Sequence, residues 1–454
     1  LALARRLRIR GVPVRVALLA SFATLQGEAK LNLAILRKTD VEIMHNAGAS
    51  ALGDLVAWSD ILVDALLGVG LSKPLKGNYA LAVELMNVSG RQVVAIDIPT
   101  GVDADSGRVE GSAVRADLTV TMALPKRGLF LHPGAGFAGK VRIADIGIPP
   151  EVIDKERIRA NIIDNDMMQG AIDCRTRDSH KGNFGHLLVI AGSLGKAGAA
   201  IMTAKGALRS GAGLVTLSAP SSIVPILQQQ ACEAMCVPAG ESIDGTIGMG
   251  SEDEILKSTK KMSACAIGPG LTMHVETVQV VRNLVQRIEV PMVIDADGLN
   301  AFVGAADVLK CAKVPVIVTP HPGEMAGLSR VSIAEVQNDR IGIARAFAAK
   351  YGVTVVLKGA GTVIATPQGD VFLNTTGNPG MATGGTGDVL TGMIGSLLAQ
   401  GYRTQEAACA GVYLHGLAGD LAAGDKGEAG MITGDLIDKI PDAIKSIVQR
   451  GPLC

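Results

Sequence analysis

An α/β protein of two domains is what the sequence predicts. Short apolar, β-rich runs alternate with helical stretches along the whole chain, the pattern of a parallel sheet covered by helices. Glycine is abundant, 56 residues, and much of it falls just after those runs, where strands turn into helices. The length, 454 residues, exceeds the about 250–300 at which a single core usually stops growing. Apolar residues make up 48% and aromatics only 3%, so the cores must be built from Ala, Val, Ile and Leu. The glycines are neither periodic nor mixed with serine, which excludes collagen and flexible linkers.

In the first domain, Leu1, Leu3 and Leu7 with basic residues between them read as a helix already under way, closed by Gly11. No capping residue or initiating Met precedes it, so the expectation is a chain truncated at its start. A transit peptide is the other reading of the arginines, but the segment runs straight into a strand-like stretch. Strands are predicted over 12–19, 61–68, 93–101, 117–125 and 140–149, with a crossover helix over 80–90. Two of these runs end in Asp-bearing turns, at the carboxyl edge where open α/β sheets bind ligands. The polar stretch 153–169 lacks a strong period and takes the boundary, giving domains over 1–152 and 160–454. A second series follows, with strands expected over 185–193, 212–220, 265–271, 291–300, 314–324, 352–365 and 369–374 and a helix over 199–213.

Lys plus Arg equals Asp plus Glu at 43 each, which gives no broad attraction to nucleic acid or anionic lipid. No apolar run reaches the roughly 18 residues of a membrane span. The seven cysteines are odd in number and dispersed, a poor disulfide framework that fits a reducing cytoplasm. Cys232 and Cys236 could share a helical face and suggest a metal; two small buried residues is the alternative. Small apolar residues on the helices permit a homo-oligomer.

The most informative segment is NTTGNPGMATGGTGDVLTGMIGSLLAQG (374–401). Val389, Leu390, Met393, Ile394, Leu397 and Leu398 form one helical stripe that Gly401 closes. Immediately before it stand Gly384, Gly385, Thr386 and Gly387, where backbone N–H groups and the helix dipole would receive an oxyanion, phosphate above all. Asp388 is the odd residue there. It could cap the helix, worth ~1 kcal/mol, or take a proton from an attacking or leaving group; the motif leaves both open. No Lys-Ser or Lys-Thr follows the glycines, so this is not a P-loop.

KGAGT (358–362) sets a cation and two glycines at a strand end, either for phosphate or ribose or as a hairpin turn with a solvated Lys. TPHPGE (319–324) fixes His321 between prolines, functional or structural. Asp295, Asp297 and Asn300 suit either a magnesium shell through water or an Asx-type turn.

GHLLVIAGSLGKAGAA, AIGPGL, VIDADGLN, VTPHPGE, VLKGAGT and NTTGNPGMATGGTGDVL occur in this order over 185–390. Together they resemble the C-terminal domain of the bifunctional NAD(P)H-hydrate repair enzymes. The resemblance implies a ribokinase-like fold that converts (6S)-NADHX or (6S)-NADPHX to NADH or NADPH, with ADP (or ATP) and Mg2+, ADP becoming AMP and phosphate. It implies that Lys358, Gly359, Ala360, Gly361, Thr362 and Gly387 bind the adenine nucleotide. Ala199, Gly270, His321 and Asp388 would meet the hydrated nicotinamide nucleotide, with Asp388 the catalytic base.

DALLGVGLSKP (64–74), AIDIPTGVDADSGRV (95–109) and ADLTVTMALPKRG (116–128) resemble the family's N-terminal epimerase domain, which implies a Rossmann-like fold with a K+ ion. By that resemblance Asp64 and Thr100 would be K+ ligands, and Gly68, Val69, Gly70, Leu71, Ser72, Lys73 and Pro74 would bind substrate phosphates. Asp97 would contact substrate as the catalytic residue. The family's Asn-Asn-Gly-Gly-Asp-Gly loop has no counterpart in this sequence, so little or no epimerase activity is expected. Two rival readings are a ribokinase-like kinase of a vitamin-precursor alcohol and a nucleotide-binding protein without turnover.

Overall fold

The structure, a computed structural model, describes residues 1–71 and 73–448. Ser72 and Cys454 therefore lie outside the described residues. The chain divides into two compact units, 1–156 and 157–454.

In the first unit every expected strand is present in a shorter form. β1 (Arg15–Leu18) pairs in parallel with β2 (Glu42–His45), while β3 (Ile61–Asp64), β4 (Gln92–Ile96), β5 (Leu118–Met122) and β6 (Lys140–Ala144) make a second, all-parallel sheet in chain order. Along β3 the pleat alternates: Leu62 and Asp64 are buried, Ile61 and Val63 exposed. The crossover helix Asn78–Val88 covers the inner face, where Val83 packs with Leu62, Val93 and Val114. The opening helix, Ala2–Ile9, has no side-chain cap. β2 had no sequence signal, because Glu, Met and His interrupt its apolar alternation.

Among the described residues, the second unit is built on one sheet of ten strands. Those before the site are β7 (Ala160–Ile163), β8 (His186–Ile190), β9 (Leu214–Pro220), β10 (Met235–Ala239) and β11 (Ala264–Ile267). The remainder are β12 (Met292–Ile294), β13 (Val316–Val318), β14 (Thr354–Leu357), β15 (Val363–Ala365) and β16 (Val371–Asn374). Their spatial order is β10-β9-β8-β11-β12-β13-β14-β15-β16-β7, parallel throughout except for β14-β15-β16. Two strands were missed. β7 falls in the polar stretch read as the boundary, and β10 carries a proline. Cys236 lies on β10 and Cys232 in the turn before it, so the two share no helical face. Cys232, Cys236, Cys265, Cys311 and Cys409 are free, whereas Cys174 is disulfide-bonded, which the dispersed cysteine pattern did not suggest. Among the described residues, no helix is long and apolar enough to cross a membrane.

The helix after the glycine loop, Thr386–Ala399, departs from the expected single stripe: every residue from Val389 to Ala399 is buried. Glycine makes this possible. A Cβ on Gly392 would stand 2.0 Å from the Thr203 carbonyl oxygen, and one on Gly206 would stand 2.6 Å from that of Val389. The helices Ala197–Arg209 and Thr386–Ala399 thus touch backbone to backbone. A chain poor in aromatics fills its core by close approach rather than by bulk.

Candidate active site

The site of the second unit gathers at the carboxyl ends of β12, β13 and β14 and the start of the helix Thr386–Ala399. Asp295 follows β12 directly and is buried, and the next residue, Ala296, takes the left-handed backbone that non-glycine residues avoid (φ +50°). Asp295 Oδ1 lies 2.5 Å from Lys358 Nζ, and its Oδ2 accepts from Thr391 Oγ1 at 2.6 Å. One carboxylate therefore ties the KGAGT turn to the glycine-loop helix. KGAGT does join β14 and β15 as a hairpin, but its lysine is not solvated; Lys358 is largely buried against Asp295, with Glu324 Oε2 at 3.9 Å.

His321 caps the helix Pro322–Ser329. Its Nδ1 accepts from the N–H groups of Gly323 (3.0 Å) and Glu324 (3.2 Å), while its own N–H donates to Glu324 Oε2 at 2.7 Å. An accepting Nδ1 leaves the proton on Nε2, which sits 3.4 Å from Glu324 Oε1. The ring is half-exposed, and burial together with Lys358 holds its pKa below the usual histidine value. Burial pushes Glu324 up to about 7, against the pull of Lys358.

Asp388 occupies the first turn of its helix but does not cap it. The cap is Gly385 at φ +95°, and no side chain caps this end, so the capping alternative falls away. Burial first, then the charges of Asp295 and Asp297, push Asp388 up to about 7, while Lys358 opposes them. Gly387 lies beside this group: a Cβ there would stand 3.4 Å from Lys358 Nζ and 3.8 Å from Asp295 Oδ2. The loop is pinned from behind. Thr433 Oγ1 donates to the Gly384 carbonyl (2.7 Å), and the Thr386 hydroxyl donates to the carbonyls of Met381 and Thr383. His415 Nε2 donates to the Thr386 carbonyl at 2.9 Å, and burial lowers its pKa to about 4, so it serves as a neutral donor.

Ala199 and Gly270 also meet. A Cβ on Gly270 would come within 3.0 Å of that of Ala199, and Ser193 Oγ donates to the Gly270 carbonyl at 2.7 Å. Lys196 Nζ reaches Asp297 Oδ2 at 3.4 Å, and the Thr272 N–H donates to the same oxygen at 2.8 Å. Sequence reasoning had not assigned roles to Glu324, Thr391, His415 or Lys196. Thr391, His415 and Lys196 each lie on a different element from their partner or inside an apolar helix, where no local pattern marks them. Glu324, by contrast, follows His321 by three residues, and that capping-box spacing within TPHPGE was the signal that could have found it.

In the first unit, Asp64 and Thr100 are joined directly. Asp64 Oδ2 accepts from the Thr100 N–H and its Oδ1 from Thr100 Oγ1, both at 2.7 Å; the Leu67 carbonyl lies 3.0 Å from the same hydroxyl. Burial raises the Asp64 pKa, and the Thr100 hydrogen bonds oppose it. Gly68 to Leu71 leave this point as an open loop, with Val69 exposed and Gly70 at φ +100°, and Lys73 and Pro74 are exposed. Asp97, at φ +71°, is held on the β5 side: Oδ1 lies 2.5 Å from Lys126 Nζ, 3.0 Å from the Met122 N–H and 3.2 Å from Thr121 Oγ1. Burial alone would raise its pKa, but the Lys126 hydrogen bond and the Met122 N–H outweigh it and hold it low. Lys126, within the quoted ADLTVTMALPKRG, is a partner the sequence reading did not name.

Residues 187–442 match the family described as NAD(P)H-hydrate dehydratase, and residues 1–128 match the YjeF-related protein N-terminus. The bifunctional NAD(P)H-hydrate repair enzyme of Moorella thermoacetica is 40% identical over 453 residues, spanning 99% of this chain and 86% of that protein. The chain belongs to the bifunctional NAD(P)H-hydrate repair enzymes. Within that family its second unit resembles the ADP/ATP-dependent NAD(P)H-hydrate dehydratase of Bacillus subtilis, co-crystallised with ATP and Mg2+. That match is 32% identical, covers 63% of this chain and 98% of that one, and has a TM-score of 0.55. A ribokinase-like superfamily protein of Enterococcus faecalis is 30% identical, covering 64% and 97%, with a TM-score of 0.56. The second unit is thus ribokinase-like, and the N-terminal part carries the family's epimerase-type domain.

Proposed function

We propose that the second unit dehydrates (6S)-NAD(P)HX to NAD(P)H with ADP or ATP as phosphoryl donor, and that Asp388 is its general base. The observation that carries this is a carboxylate lifted to about 7 beside the glycine-rich start of a buried helix. A base of that pKa is partly ionised at neutral pH and still basic enough to take a hydroxyl proton. Hydroxide leaves poorly from C6 of the hydrate. Asp388 therefore takes the proton of the C6 hydroxyl as that oxygen attacks the terminal phosphorus of the nucleotide, and the bond to the departing AMP (or ADP) breaks. The amides of Gly384, Gly385, Thr386 and Gly387 receive the phosphoryl oxygens in flight. The ring nitrogen lone pair then expels phosphate from C6, and loss of the C5 proton restores the dihydronicotinamide.

In this reading KGAGT holds the adenine nucleotide and the Ala199–Gly270 contact and His321 face the hydrated ring. Mg2+ fits as an ion carried by the nucleotide: among the described residues no three His, Cys, Asp or Glu are placed to hold a metal, and both Asp295 oxygens are engaged. Asp297, whose Oδ2 is taken by Lys196 and the Thr272 N–H, would meet its water shell through Oδ1, and the ion would withdraw charge from the phosphoryl oxygens. For the first unit, the oxygen set of Asp64, Thr100 and the Leu67 carbonyl, with no Lys or Arg paired to Asp64 among the described residues, suits K+. There the ion would neutralise Asp64, while Gly68–Pro74 bind phosphate and Asp97 meets the substrate of the epimerase reaction. Action in the cytoplasm and homo-oligomeric assembly belong to the same proposal.

Asp388→Asn tests the assignment. With folding intact, ADP-dependent turnover of (6S)-NADHX is expected to fall about 10²–10⁴-fold; near wild-type turnover would remove Asp388 from catalysis.

A further inference from the structure

The KGAGT turn is built on a buried guanidinium. Arg340 opens the helix Arg340–Tyr351 and is only 7% exposed. Its Nη2 donates to the carbonyls of Leu357 (3.0 Å) and Lys358 (3.2 Å), and its Nη1 donates to Gln337 Oε1 (3.0 Å). Its Nε has no hydrogen-bond partner among the described residues. Gly359 lies directly against the guanidinium: at φ +138°, a Cβ there would stand 3.2 Å from both Nη atoms. Among the described residues no carboxylate compensates the charge, and burial draws the pKa down to about 10.

A buried cation without an anion is costly, and carbonyl acceptors do not require a full charge. The geometry supplies a reason for it. In a trans peptide the C=O and the following N–H point in opposite directions. Tying the Lys358 carbonyl down onto Arg340 turns the Gly359 N–H away from the guanidinium, out of the turn. The neighbouring Lys358 N–H is already used by the Pro320 carbonyl (2.9 Å). Two strand-end carbonyls that would repel a phosphate are thereby directed inward, one amide is directed outward, and a positive charge sits beneath.

We propose that Arg340 is a positioning residue for the nucleotide phosphates: it fixes the KGAGT backbone in its anion-receiving form, and its charge finds its counterpart only when those phosphates arrive. This rests on reading KGAGT as the nucleotide loop. The test is calorimetric binding of ADP and of adenosine, which lacks phosphate, to wild type, Arg340→Gln and Arg340→Lys, together with KM for ADP and kcat. Arg340→Gln is expected to weaken ADP by about tenfold or more, the equivalent of one charged hydrogen bond. Adenosine affinity should hold within about twofold, the KM for ADP should rise more than kcat falls, and Arg340→Lys should recover part of the loss. Should Arg340→Gln fail to fold, Arg340→Lys carries the same test, because it keeps the charge and loses the fork that grips two carbonyls. Unchanged ADP binding, or equal losses for ADP and adenosine, would overturn the proposal. A wild type that binds neither ADP nor ATP would sink the nucleotide-loop reading itself.

Discussion

Asp97 in the first unit and Asp388 in the second each stand near a lysine, yet their pKa values move in opposite directions. Asp97 is the one carboxylate paired with Lys126 among the described residues, at 2.5 Å; it adds a backbone N–H and a threonine hydroxyl and drops below the usual carboxylate range. Asp388 shares Lys358 with Asp295, which holds it at 2.5 Å, and with Glu324. It is also more deeply desolvated and feels Asp295 and Asp297, so it rises to about 7. A lysine near a carboxylate does not by itself fix the sign of the shift; the number of acids competing for it and the depth of burial do. A low, ion-paired Asp97 is suited to holding charge in place, and a raised Asp388 to moving a proton.

The largest expected effect comes from taking the shared cation away. Lys358→Met leaves Asp295 buried without its partner, a change worth about 3–5 kcal/mol of stability by the usual cost of breaking a buried pair, measurable by denaturant unfolding. Because Lys358 lowers the Asp388 pKa, the acid limb of kcat/KM in any folded variant should move to higher pH. An unmoved limb would mean that Lys358 and Asp388 are not coupled.

A second effect separates the units by pH. Asp388 and Glu324 have folded pKa values of about 7, above their ordinary 3.8 and 4.5. Their protonated forms therefore favour the fold, a contribution complete below the ordinary values and lost as pH rises through about 7. Asp388→Asn and Glu324→Gln should raise the Tm relative to wild type at pH 8 and not at pH 4. Asp97 runs the other way: its lowered pKa contributes stability above 3.8 that is lost as pH falls through its folded value. The smallest effect follows from this. Lys126→Met should cost the first unit only about 1 kcal/mol near pH 7, since the pair is partly exposed, and the difference should vanish in acid. A larger loss at pH 3 than at pH 7 would contradict the sign.

The parts of this site that could be read from the sequence are those that repeat a local pattern. Apolar runs, most of them closed by Asp, Gly or Pro, gave the expected strands, and glycines ahead of an apolar stripe marked Gly384–Asp388. Lys358 was legible as a cation at a strand end, but its pairing with Asp295 was not, because the two are 63 residues apart and meet only once β12, β13 and β14 lie side by side. Arg340 was invisible for the same reason: it opens an ordinary helix and acts on carbonyls 17 and 18 residues further on, across that helix and β14. β7 and β10 were lost because a polar edge and a proline hide the two-residue period. The single stripe assigned to the Asp388 helix failed because glycine lets a neighbouring helix seal the side that polarity alone would leave to solvent.

The most direct measurement is the pH dependence of kcat/KM for (6S)-NADHX with saturating ADP, followed by the return of reduced-nicotinamide absorbance, in wild type and Asp388→Asn. A wild-type rate that falls below a pKa near 7, with the variant slower by orders of magnitude and lacking that limb, is the predicted result. A variant that retains both the rate and the limb would show that another group takes the proton.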